Sequence, residues 1–275
     1  MNKKLIHIIL ILFLTFSCSK KKESLVKIPA EEISFQIYRE ALNSMNEGDY
    51  FFASKKFKEA ELVLPEIELA GKALIMSSFC LYQINFYDEA LESLEKFIVK
   101  YPVDKNVEYA HYLVATIYFE QILDEKKDLQ PLILTKEKIL FYLEKYPDND
   151  YSIDLEFKLD LVNNQLAAKE LYIAKYYIKT QKWIAAINRL KVIKNEYDET
   201  IFIEEALHRL VEIYYKLGLE DEAKATAVLL GYNYNSSEWY QKSYKILNKN
   251  YKSSNKENLK DNLGLIKRTI KKILN

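Results

Sequence analysis

Glycine and proline are scarce in this chain, five of each among 275 residues. So few helix breakers favour an all-α fold, and five glycines leave no glycine-rich loop to cradle a phosphate. Cysteine is scarcer still, at two, which excludes a disulfide framework and a Cys/His zinc cluster. The three histidines, His7, His111 and His208, are far apart in sequence. Carboxylates are spread as on any solvated helical surface, so no catalytic or metal-ligating constellation emerges. No enzyme activity, cofactor or metal is expected. Charge of one sign is missing too: 40 Lys/Arg balance 40 Asp/Glu, which points away from nucleic acid. After the first twenty residues there is no run of about 18–20 apolar residues, so nothing in the body of the chain is built to span a bilayer.

What is present falls into two parts. Lys3 and Lys4 precede an apolar run from Leu5 to Phe16 with His7 inside it, then Ser17, Cys18 and the polar stretch SKKKES (19–24). The run is too short for a bilayer core of roughly 30 Å but suits the apolar region of an export signal. Ser17-Cys18 at its end resembles the lipobox of bacterial lipoproteins, which implies a signal peptide over 1–17 and an acylated Cys18 as first residue of the mature chain. Thr15 departs from that pattern, which prefers an aliphatic residue three places before the cysteine; Leu14 lies one step away. The alternative is an ordinary cleaved signal with an incidental cysteine. In lipoproteins of this kind Asp after the cysteine marks inner-membrane retention. Ser19 therefore implies a lipid-anchored protein on the periplasmic face of the outer membrane of a Gram-negative bacterium. Residues 18–30 form the polar tether, and Ser19–Ile28 reach at most roughly 35 Å. Cys80, in MSSFCLY, reads as a small buried thiol.

The second part repeats. DYFFASKKFKEAELVLP (49–65), FYDEALESLEKFIVKYP (86–102), PLILTKEKILFYLEKYP (131–147), KWIAAINRLKVIKNEYD (182–198) and LEDEAKATAVLLGYNYN (219–235) align without gaps. Column five reads Ala53, Ala90, Thr135, Ala186 and Ala223. Column nine is Phe57, Leu94, Ile139, Leu190 and Ala227, and column twelve is Ala60, Phe97, Tyr142, Ile193 and Leu230. Spacings of four and three place these columns on one helix face. The last column is Pro65, Pro102 and Pro147, which stop a helix, then Asp198 and Asn235, which form turns. Another apolar-periodic stretch precedes each segment, so each unit is a helical hairpin. The units resemble tetratricopeptide repeats, which implies a superhelix of about five TPR-like hairpins over 31–247 with a concave groove. Column-five spacings of 37, 45, 51 and 37 are irregular: DEKKDLQP (124–131) is an insertion, and extra helix is expected around 155–171.

By resemblance to such repeats, groove-lining positions fall on the first helix of each unit: Phe35, Tyr38, Leu42 and Met45, then Ile75, Phe79, Tyr82 and Gln83. An apolar, aromatic groove suits an extended apolar or aromatic peptide; the same residues equally suit packing between repeats. Residues 248–275 form a basic extension with Leu259, Leu263, Ile266, Ile270 and Ile273 at helical spacing. It reads as a cap on the superhelix or as a helix docking on lipid or a partner.

The stretch ELYIAKYYIKTQKWIAAINRLKVIKNEYDET (170–200), with KYPVDKNVEYAHYLVATIYF (100–119) and SSEWYQKSYKIL (236–247), resembles the BamD family of the outer-membrane β-barrel assembly machine. Asp198 in place of proline and LPEIELA (64–70) depart from that family's pattern. The resemblance implies a non-enzymatic scaffold. Its C-terminal units would dock on the barrel-forming subunit BamA, other lipoproteins of the complex would bind it, and its N-terminal groove would receive unfolded outer-membrane protein precursors. The implied partner-binding residues are Tyr176, Tyr177, Asn188 and Arg189, the aromatic ones serving equally as packing. A pilotin, a cell-wall coordinator or a lytic transglycosylase are the rival readings; the first keeps a regular period, the second adds a coiled coil and the third adds a catalytic domain.

Overall fold

The computed structural model describes residues 29–122, 129–235 and 237–248. The expected signal peptide, Cys18 with its expected acylation, nearly all of the expected tether, most of the 124–131 insertion and the extension from 249 onward lie outside the described residues. Eleven helices are described: α1 (Ala30–Asn46), α2 (Tyr50–Val63), α3 (Ile67–Gln83), α4 (Tyr87–Lys100), α5 (Val107–Glu120), α6 (Gln130–Lys145), α7 (Asp150–Lys179), α8 (Trp183–Glu196), α9 (Ile203–Lys216), α10 (Glu220–Asn233) and α11 (Glu238–Leu247). No strand occurs among the described residues. Each odd-numbered helix from α1 to α9 pairs with the next even one, and each hairpin packs on its neighbours, giving a superhelix of five TPR-like units closed by α11.

The repeat columns are what hold it. All fifteen side chains of columns five, nine and twelve are fully buried, at 0% exposure. Alanine at column five lets the neighbouring helix approach. In the third unit Thr135 takes that place and satisfies its hydroxyl by donating to the Pro131 carbonyl at 2.7 Å. Phe57, Phe97, Leu94 and Leu190 each contribute about 1.5–3 kcal/mol by leaving water.

The turns inside the hairpins share one device. Gly48, Asn85, Gln181 and Gly218 have φ of +84°, +59°, +58° and +75°. Each lies five residues before its column-five residue, so the left-handed step that reverses the chain recurs at one register. The third unit has its insertion at this point. The second helices also stop in register, at Val63, Lys100, Lys145, Glu196 and Asn233, two residues before the last column. Asp198 and Asn235 thus end their helices where proline ends the others. In four units the intervening cap is a tyrosine: Tyr101, Tyr146, Tyr197 or Tyr234, with φ between −126° and −139°. The rings are anchored, Tyr146 on Tyr142 with centroids 5.1 Å apart and Tyr197 beneath the Lys136 ammonium at 4.7 Å.

The 51-residue spacing is explained by α7. At 30 residues it is about 45 Å long. Its first half, with Leu155, Val162 and Leu166, packs in the core of the third unit, and its second half, with Ala167, Leu171 and Ala174, packs with α8 and α9. Polar links tie successive units together. The Tyr82 hydroxyl donates to Glu120 at 2.7 Å, Tyr112 donates to Asp154 at 3.0 Å, and Lys175 pairs with Glu205 at 2.9 Å, joining α3 to α5, α5 to α7 and α7 to α9. Between α2 and α4, the Glu61 carboxylate is 1% exposed and receives Lys96 at 2.9 Å, Tyr101 at 3.1 Å and Lys100. Burial opposes its ionisation, but the hydrogen bonds from Lys100 and Lys96 outweigh that and hold its carboxyl below the usual value.

Candidate functional site

The expected N-terminal groove is largely consumed by packing. Tyr38 is buried and meets Phe57 edge-on with ring centroids 5.6 Å apart, and Ile75 is buried beside it in the first core cluster. Both therefore line the interior rather than a groove: Tyr38 fills the space opposite Phe57 of column nine, and Ile75 packs in the same cluster. Phe35, Leu42, Met45 and Tyr82 are half-buried against the same cluster. Phe79 is half-buried with its ring edge-on to Tyr50 at 6.5 Å, and only Gln83 of the set is exposed. What α1 and α3 leave to solvent is a set of aromatic and aliphatic edges, continuous with the tyrosines of the next units.

That continuation was not foreseen. Tyr82 and Tyr87, with rings 6.4 Å apart, both donate to Glu120, at 2.7 and 2.9 Å. Tyr112 stacks on Tyr151 at 4.4 Å, Tyr109 adjoins Tyr151 at 5.8 Å, and Tyr142 meets Tyr112 at 6.4 Å. Burial, then the bond to Asp154, pushes the Tyr112 phenol up to about 12. With Tyr142 buried beneath it, the stripe presents the flat rings of Tyr82, Tyr87, Tyr109, Tyr112 and Tyr151, with the hydroxyls of Tyr82, Tyr87 and Tyr112 tethered to carboxylates, which suits an extended chain carrying aromatic and polar groups. The signal in the sequence was the tyrosine count of 22 together with EYAHY (108–112); the partner Tyr151 is 39 residues on from Tyr112 and no local spacing links them.

The fourth hairpin carries the other expected site. Tyr176 is 56% exposed near the end of α7, whereas Tyr177 is half-buried against the core of α7–α9, so the two tyrosines divide between surface and packing. Asn188 is exposed on α8. Arg189 is half-buried and its charge is already met: one Nη donates to both Glu170 oxygens, at 3.1 and 3.2 Å, clamping α8 to α7. Trp183 is half-buried with the Lys216 ammonium 4.4 Å over its ring. The arrangement presents an exposed tyrosine, an exposed amide and an arginine–glutamate pair on one hairpin.

The remaining titratable groups serve the fold. Burial, then Lys145 and Lys138, pushes His111 down to about 4, so it is neutral beside Phe141 and Tyr146. His208 is buried, with Nδ1 2.8 Å from Ser243 Oγ and its ring on Trp239, docking α11. Cys80 is buried and its thiol is pushed up to about 12 by burial. Among the described residues no three His, Cys, Asp or Glu side chains converge as a metal site, and no helix is long and apolar enough to cross a membrane.

The sequence profile of a family described as outer membrane lipoprotein, YfiO, matches residues 30–229. A protein of Rickettsia prowazekii named outer membrane protein assembly factor BamD is 35% identical over 250 residues, covering 91% of this chain and 98% of the relative. A protein of the same name from Caulobacter vibrioides is 34% identical over 233 residues, covering 85% of this chain and 76% of the relative. Among solved structures, a thermophilic TPR protein of Thermus thermophilus aligns over 78% of this chain and 98% of its own, at 16% identity and a TM-score of 0.35. That alignment bears on neither function nor curvature.

Proposed function

The chain belongs to the YfiO family of outer membrane lipoproteins, among whose relatives are outer membrane protein assembly factors named BamD, and from that premise we propose that it is a non-catalytic scaffold of the complex that inserts β-barrel proteins. In this reading acylated Cys18 anchors it to the periplasmic face of the outer membrane. The fourth hairpin docks on the barrel-forming subunit BamA through Tyr176, Asn188 and the Arg189–Glu170 pair, with Tyr177 supporting them from the core. Precursors meet the edges of Phe35, Leu42, Met45, Phe79, Tyr82 and Gln83, extended by Tyr87, Tyr109 and Tyr151. The observation that carries the proposal is similarity along 98% of the Rickettsia relative, which is named an assembly factor. Other lipoproteins of the complex are expected partners as well.

The test is a pull-down from detergent-solubilised envelopes with three forms: native, Arg189→Glu, and the swap Arg189→Glu/Glu170→Arg. The native form is expected to recover a large β-barrel protein with periplasmic domains, and Arg189→Glu to lose it. If the swap also fails, Arg189 touches the partner; if it restores recovery, the arginine acts only by holding α7 against α8. Recovery of pilus or cell-wall proteins by the native form instead would overturn the assignment.

A further inference from the structure

The base of the first two hairpins is apolar where nothing in the superhelix covers it. The register of α1 against α2 follows from the Tyr38–Phe57 ring contact at 5.6 Å and the Glu40–Lys56 pair at 3.2 Å, which places Ile33 opposite Leu62 and Val63. These three are 45%, 74% and 49% exposed. Ile67 at the start of α3, Val99 near the end of α4 and Val103 in the following loop are 77%, 81% and 96% exposed. The elements that carry them are joined at this end: Glu61 of α2 binds Tyr101 at 3.1 Å, Glu68 of α3 pairs with Lys105 at 3.0 Å, and Ile67, Tyr101, Pro102 and Val103 line one cleft of about 500 Å³. Gly71 permits that closeness, since a Cβ there would lie 3.2 Å from Asp104 and 3.4 Å from the Tyr101 ring.

Six strongly exposed aliphatic side chains at one corner, mostly on helix ends and a loop, are more than the scattered apolar exposure of an ordinary surface. They stand at the end of the hairpin where the chain arrives from Cys18, one residue before α1 begins at Ala30. The ten residues Ser19–Ile28 reach at most roughly 35 Å, so an anchor at Cys18 keeps this corner, where the tether joins α1, within reach of the bilayer surface. The tether converts a weak contact into an intramolecular one at high effective concentration. Charge does not oppose the approach. Lys58, Lys72, Lys96, Lys100 and Lys105 stand among Glu31, Glu32, Glu59, Glu61, Glu66, Glu68 and Asp104, with Glu61 and Glu68 in direct pairs, so the corner has no excess of positive charge.

We propose that this corner is a second membrane contact: Leu62, Ile67, Val99 and Val103 enter the headgroup–acyl boundary of the lipid surface that carries the Cys18 anchor, and so fix the orientation of the superhelix. The inference rests on the lipid-anchor reading above. Because the corner has no excess of positive charge to attract lipid headgroups, the contact is apolar in origin. It therefore needs no anionic lipid and resists salt.

The test uses the acylated full-length protein in phosphatidylcholine vesicles, with a bimane fluorophore on Val103→Cys or Ile67→Cys and a control on Tyr232→Cys, which is 87% exposed in the fifth unit. Cys80, at 0% exposure, stays unlabelled. Lipids bearing a nitroxide near the headgroup are expected to quench the Val103 and Ile67 labels at least twofold more than the control, at low and high salt alike. Leu62→Glu/Val99→Glu should abolish the excess at Val103 while the protein still floats with vesicles. Flotation with equal quenching at all sites overturns the contact and leaves the anchor standing. Failure to float overturns the anchor reading and the contact with it. A Val103 label already shielded without vesicles means that the chain covers its own corner, which also overturns the proposal.

Discussion

Replacing Glu61 with Gln tests how the first two units are joined. The native carboxylate is 1% exposed and accepts from two lysines and from Tyr101 at 3.1 Å. A hydrogen bond to a buried charge is worth about 1.5–3 kcal/mol. The lysine side chains are 48% exposed, however, so water screens their share. The amide keeps the shape and one acceptor, so the net loss at neutral pH is about 2 kcal/mol. At a urea slope of roughly 2 kcal/mol per molar, the midpoint falls by about 1 M. Both tryptophans, Trp183 and Trp239, sit in the fourth unit and α11, so their fluorescence reports the far end while circular dichroism reports all the helices. Stability in a repeat array is summed over neighbours. The variant's dichroism transition should therefore move earlier than its fluorescence transition. The pH dependence has a fixed sign. Glu61's folded carboxyl lies below its unfolded value, so its contribution is full above the ordinary carboxylate range and is lost as pH falls through the folded value. The gap between native and Glu61→Gln should close in acid. A neutral-pH gap under about 0.5 kcal/mol, or one that persists in acid, would refute the account of this junction.

Two further substitutions probe the turns and the cap. Gln181→Gly relieves a left-handed backbone at an exposed site, φ +58°, that glycine occupies in the first and fifth units; thermal unfolding should show a gain of up to about 1 kcal/mol. Gly231→Ala puts a Cβ 2.6 Å from the Tyr240 ring, and the ring must give way. It should cost about 1–3 kcal/mol and show as faster amide exchange in α11 with α1–α4 unchanged.

The columns of small, large and large residues were legible because burial at a helix face is local. Ala53, Phe57 and Ala60 are four and three apart, and that spacing alone puts them on one side whatever packs there. The helix stops and the extra length of α7 were readable for the same reason, and Asp198 and Asn235 were already correctly placed as turns. Two kinds of feature were out of reach. Tyr38, Ile75 and Arg189 have sequence neighbourhoods that permit either surface or interior, and only the opposing helix decided. Phe57 draws Tyr38 inward, while Glu170, nineteen residues away, claims Arg189. The Tyr82–Glu120, Tyr112–Asp154 and Tyr112–Tyr151 contacts, and the exposed corner of Ile33, Leu62, Ile67, Val99 and Val103, join residues from successive hairpins. The sequence by itself determined the hairpins and the face each one buries, since those follow from periodicity along a single helix. The tertiary structure decided which surfaces survive to meet a partner or a membrane, because exposure belongs to how the hairpins stack, and no stretch of chain contains that information alone.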